Sequence, residues 1–145
     1  MTSTAGVSTL SRTGPLAAGV IGGLVGGIAF GLLMQMMGMM PMVAMLARSE
    51  SVFVGWIVHL VIASGIGISF ALIFGGWART LAASTAIGIG YGALWWVLGA
   101  LAAMPAILGM PMFNIDAMAW QSLMGHVIYG AVLGATYALV RSRGA

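Results

Sequence analysis

The stretch 52–75, VFVGWIVHLVIASGIGISFALIFG, carries no charged residue and one imidazole, His59. It is longer than a buried strand and apolar all round, unlike a surface helix of a soluble domain. At 1.5 Å rise per residue, about 20 such residues cross a hydrocarbon core of roughly 30 Å. Three further apolar segments flank it, from about Pro15 to Met40, Leu81 to Met104 and Ala117 to Val140. None alternates with the period of two that a membrane barrel needs. The composition agrees, with 61% hydrophobic and only 5% charged residues, against roughly 25% charged in a soluble domain. The predicted fold is an all-α membrane protein, a four-transmembrane-helix bundle with lipid as its first partner.

The breaks between segments are polar or proline-rich. Arg48-Ser-Glu50-Ser51 and Trp77-Ala-Arg79-Thr80 make two short connections, and a longer one, with Pro105, Pro111 and Asn114, runs to Asp116. Proline removes a backbone donor and suits such positions. Pro41 to Ala47 is still apolar and could lie on the bilayer as a short interfacial helix. Residues 1–14 read as a disordered cytoplasmic tail, 15–140 as the transmembrane domain and 141–145 as a second short tail. The apolar run after Arg12 exceeds the 7–15 residues of a signal-peptide core, so the first segment reads as a retained helix.

Arginine placement sets the expected orientation. With four spans, Arg12, Arg79, Arg141 and Arg143 share one side, while the other holds only Arg48, next to Glu50. The positive-inside bias then puts both termini in the cytoplasm, for a multi-pass protein of the plasma (inner) membrane.

The two halves echo each other. Relative to His59 and to His126, small residues sit at −4, +4 and +8 and an aromatic at +11: Gly55, Ala63, Gly67 and Phe70 in one, Ser122, Gly130, Gly134 and Tyr137 in the other. Met40-Pro-Met42 is matched by Met110-Pro-Met112, and Leu-Ala-Ala opens both the first and third segments. A duplicated helical hairpin, offset by about 65 residues and inserted twice in the same sense, explains this as a parallel repeat. Glycine, 23 of 145 residues, recurs at four-residue steps: Gly23, Gly27 and Gly31, then Gly88 and Gly92, then Gly130 and Gly134. Such steps let helices approach closely in lipid. They predict packing within the bundle, and a glycine face could also dock a second copy or a partner in a membrane complex.

An ionisable side chain inside a span is a functional candidate. His59 and His126 should lie at similar depth, toward the outer side. Each could ligate a metal or haem, or could simply hydrogen-bond across a helix interface. Excluding Met1, every methionine falls in the outer half of this topology. Thioether sulfur suits Cu(I), which makes Met36, Met39, Met40, Met42, Met110 and Met112 candidate soft-metal ligands; methionine also fills packing gaps. Trp77 and Trp120 fit an interfacial belt, whereas Trp95 and Trp96 sit mid-span. Asp116 and Asn114 should cap the last helix, and Glu50 complements the dipole of the second.

Other classes are poorly supported. Without Cys there is no disulfide, thiolate or Cys-ligated metal, and five Arg with no Lys make no nucleic-acid surface. No hydrolase triad, phosphate loop, zinc-protease motif or paired intramembrane acid is legible, so neither an enzyme nor an ion-coupled carrier is expected.

Gly55-Trp-Ile-Val-His59-Leu, Gly125-His126-Val-Ile-Tyr-Gly-Ala-Val-Leu-Gly134 and the Met-Pro segment before each resemble a family of small uncharacterised four-helix prokaryotic membrane proteins. The resemblance runs from Pro15 onward and implies four spans and no particular activity. The leading expectation is a non-catalytic accessory or assembly subunit of a membrane complex. The alternative is a copper- or haem-binding protein using His59 and His126 with outer methionines, and a third reading is a small oligomeric channel or carrier.

Overall fold

The computed structural model describes residues 13–143. The tail expected over 1–14 falls almost wholly outside them, as do residues 144 and 145. All regular structure in the described chain is helical, with no strand among its residues. Four helices are long and apolar enough to cross a membrane: α1 (Pro15–Met36), α3 (Val52–Phe74), α4 (Leu81–Leu108) and α5 (Ala117–Ser142). A short α2 (Met40–Ala44), continued by one tight 3₁₀ turn, links α1 to α3. The shortest of the four has 22 residues, which at 1.5 Å each makes about 33 Å.

Each boundary has a local cause. Pro15 opens α1, where its missing N–H is no loss, and Gly38 at φ 70° ends the turn after it. Thr80 Oγ1 accepts from the Ala83 amide at the start of α4, and Asp116 Oδ1 accepts from the Ala119 amide, 2.9 Å, at the start of α5. Asn114 Nδ2 in turn donates to Asp116 Oδ2 at 3.3 Å, so the expected cap is present. No side chain caps α3.

The first and third segments end differently from the sequence expectation. α1 stops at Met36, and Met40 belongs to α2. α2 does not lie free on the outside of the bundle. Met40, Val43 and Ala44 are buried, and a Cβ on Gly55 of α3 would strike the Met40 carbonyl. α4 continues to Leu108, through Pro105, which the sequence reading had assigned to the loop. Wide π-type turns over Trp96–Ala103 precede the proline, a device that often accompanies functional sites. Pro105 cannot donate to the Leu101 carbonyl, and the Phe113 amide satisfies it instead at 2.8 Å.

Helix order around the bundle is α3, α1, α5, α4. α1 has two glycine faces. Gly19, Gly23 and Gly27 meet Gly67, Ala63 and the His59 region of α3, while Gly22 and Gly26 meet Leu133 and Tyr129 of α5. Gly31 lies under Trp56 and His59. Gly88 and Gly92 meet Gly130, Gly134 and the His126 backbone so closely that any Cβ would overlap a facing carbonyl. The glycine steps read from the sequence are therefore all occupied within the chain. Polar links reinforce the seams: Ser84 Oγ donates to the Gly134 carbonyl at 2.6 Å, and Tyr129 Oη crosses to the Ala63 carbonyl at 2.7 Å.

The start of α1 and the end of α5 share one end of the bundle, where Arg141 donates to the Thr13 carbonyl. At that end α3 and α4 also meet, through a hydrogen bond of 2.6 Å between Ser69 Oγ and Tyr91 Oη and through Phe70 and Phe74 packed on the Tyr91 ring. Toward the opposite end the same two helices part. Large apolar side chains, among them Ile21, Leu32, Val61, Leu72 and Leu139, stay exposed on the outside.

Candidate functional site

Where α3 and α4 separate, a cavity of about 360 Å³ opens in the half of the bundle away from the termini. Both histidines line it. His59 and Ile62 come from α3, Phe30 and Met34 from α1, Ser122 and His126 from α5. α4 contributes Trp95 and, from its widened turns, Trp96 and Gly99, while α2 and the connection before α5 line the end. The same helix packs tightly at Gly88 and has room at Gly99, within its wide turns.

The two imidazoles are fastened in different ways. Nε2 of His59 lies 2.8 Å from the Gly27 carbonyl on the neighbouring helix. A carbonyl only accepts, so Nε2 carries the proton and in the neutral ring Nδ1 keeps the lone pair. Nδ1 of His126 lies 2.8 Å from the Ser122 carbonyl of its own helix, so here Nε2 keeps the lone pair. His59 thus ties α1 to α3, whereas His126 ties no helix to another. The free nitrogens have no hydrogen-bond partner among the described residues, yet neither is sealed in. Among the described residues, the one fully enclosed side-chain polar atom left without a partner is Nε1 of Trp95.

Phe30 is the common neighbour of both rings, edge-on to each, with centroids 5.5 Å from His59 and 4.8 Å from His126. A Cβ on Gly125 would run into the Phe30 ring, so that glycine makes room for it. The two imidazoles therefore share one aromatic neighbour in the wall of the cavity.

Methionine forms much of the rest. Met34, Met39, Met42, Met104, Met110 and Met118 all line the cavity. Of the six soft-metal candidates read from the sequence, Met39, Met42 and Met110 line the same cavity as the histidines. Met40 is fully buried under Gly55, while Met36 and Met112 point outward, 84% and 54% exposed. Met34, Met104 and Met118 are cavity methionines outside that set of six. Exposure is graded, from 46% at Met110 and 45% at Met118 to 6% at Met34 and Met39.

Hard or borderline cations have little to bind. Among the described residues no three His, Cys, Asp or Glu side chains come together. Asp116 borders the cavity with both oxygens engaged in the α5 cap. Trp96 donates to the Ala119 carbonyl at 2.9 Å and its ring stacks near that of Trp120. Both mid-span tryptophans of α4 thus turn toward the bundle, while Trp77 and Trp120 remain exposed near helix ends.

Compared with known proteins, the chain matches no family model, no curated protein and no solved structure.

Proposed function

We propose that this chain is an integral protein of the plasma membrane, with both termini cytoplasmic, and that it serves a membrane complex as a non-catalytic subunit holding a small ligand in its outer half. The observation that carries the reading is the His126 imidazole in the wall of a largely apolar cavity, its Nδ1 fastened to the Ser122 carbonyl and its Nε2 free. Buried polar groups are costly unless used. Structural fastening accounts for His59 but not for His126.

Membrane insertion is supported by the four long apolar helices and their exposed aliphatic outer surface. The orientation rests on arginine: Arg12, Arg79, Arg141 and Arg143 against Arg48. Duplication gains support from the packing register. Gly19, Gly23 and Gly27 meet α3 as Ser84, Gly88 and Gly92 meet α5, at the same offset of about 65 residues. On the same residues we propose membership of the small four-helix family that the sequence resembles.

A non-catalytic role is favoured by the proton on His126. Ser122 Oγ lies 3.3 Å from Nδ1, but that nitrogen donates to the Ser122 carbonyl and cannot act as a base toward the hydroxyl.

The test is to fill the cavity. Gly99 lines it and has room for a side chain, its nearest neighbour being the Trp95 ring at 3.7 Å. Wild type and Gly99→Phe are purified from membranes in mild detergent, and bound metals and small molecules are identified by elemental analysis and mass spectrometry. A component present in wild type and lost in the folded variant supports the reading. Two equally empty proteins from the native membrane overturn it.

A further inference from the structure

We infer that the cavity is a Cu(I) site in which Nε2 of His126 and thioether sulfurs of Met34, Met39 and Met104 are the ligands; this rests on the ligand-holding reading above and names its ligand. The donor set selects the ion. Thioether and neutral imidazole are soft to intermediate donors that favour Cu(I), while Mg²⁺, Ca²⁺ and Zn²⁺ call for three or more carboxylates, thiolates or imidazoles together, a grouping not found among the described residues.

Orientation of the imidazole is the second argument. A metal-bound histidine characteristically donates its other N–H to a carbonyl, which fixes the tautomer and aims the lone pair. His126 has that arrangement, with Nδ1 on the Ser122 carbonyl. Its free nitrogen is Nε2, the outermost ring atom and the less hindered of the two. In His59 the outermost nitrogen is the one already taken by Gly27. His59 is therefore the fastener of α1 to α3, and His126 is the ligand. Phe30, edge-on to both rings, separates the two roles and walls the site.

The methionines give a third argument. Exposed Met110 and Met118 at the rim lead to the buried Met34 and Met39. Thioethers bind Cu(I) without a proton to lose, so an ion can pass from one sulfur to the next with no change of protonation or oxidation state. The route begins at the face away from the termini, and delivers a monovalent ion into an apolar cavity that would exclude a hydrated divalent one.

The experiment is a Cu(I) titration of the full-length purified protein in detergent under ascorbate, against a chromophoric Cu(I) chelator. Wild type should take up about one ion per chain, and His126→Gln should weaken binding by at least about tenfold, the range expected on disturbing a metal shell. Met34→Leu combined with Met104→Leu should weaken it comparably. His59→Gln should keep wild-type affinity within about threefold, provided its elution profile shows a folded protein. Unchanged affinity in His126→Gln overturns the assignment, as does its loss in folded His59→Gln. A wild type that ignores Cu(I) but still carries another component displaced by Gly99→Phe sinks the copper inference alone. A wild type that takes up no Cu(I) and carries no such component sinks both readings.

Discussion

The imidazole of His59 donates from Nε2 to the carbonyl oxygen of Gly27 at 2.8 Å, across the seam between α1 and α3. Gly27 can accept because it has no side chain: a Cβ there would already press on Ala63 and Leu60. Close approach and hydrogen bond are one feature. His59→Ala should therefore lower stability by about 1 kcal/mol, within the range measured for interhelical hydrogen bonds in membranes. Reversible unfolding in mixed micelles reads this, and a variant as stable as wild type would show the bond to be idle.

The second prediction contrasts two glycines of one helix. At Gly88 a Cβ would overlap the Gly130 carbonyl, whereas at Gly90 nothing lies within 4 Å. Gly88→Ala should cost about 1–3 kcal/mol through forced separation of α4 and α5. Gly90→Ala should be neutral or stabilising by up to about 1 kcal/mol, since alanine is the better helix former. Equal effects at the two positions would contradict the packing described.

Asp116 supplies the third. Its Oδ1 caps the first turn of α5, and replacement by Ala should cost about 1 kcal/mol, while Asp116→Asn should keep most of the cap. Melting temperatures of the three proteins in one detergent decide it. Because Asp116 also borders the cavity without lending it a free oxygen, ligand content should be the same in all three.

How far the sequence alone reaches can be judged residue by residue. The four helices were legible because nothing else is made from apolar runs so long. Pro105 misled because a proline usually stops a helix, whereas here the wide turns before it and the Phe113 amide absorb the lost hydrogen bond. The division of labour between His59 and His126 was not legible. Two residues with matching neighbours differ only in which carbonyl each ring reaches, and that depends on side-chain rotation, not on spacing. The methionine bias toward one end was legible, but not which sulfurs turn inward. Met36 and Met39 are three apart in the chain, yet one is exposed and the other buried.

Topology gives the fourth prediction, made simple by the absence of native cysteine. Ala47→Cys and Ser142→Cys introduce single thiols at exposed positions on opposite ends of the bundle. In intact cells a membrane-impermeant maleimide should label Cys at position 47 and spare the one at 142. Labelling with the reverse preference would invert the orientation, and with it the side from which the cavity fills.

The most direct measurement is X-ray absorption at the copper edge on protein isolated from copper-supplemented cells. The account predicts Cu(I) in a shell dominated by sulfur with about one nitrogen neighbour, and predicts that His126→Gln loses that nitrogen or the copper itself. A shell of nitrogen and oxygen only, or an unchanged spectrum and copper content in His126→Gln, would contradict it.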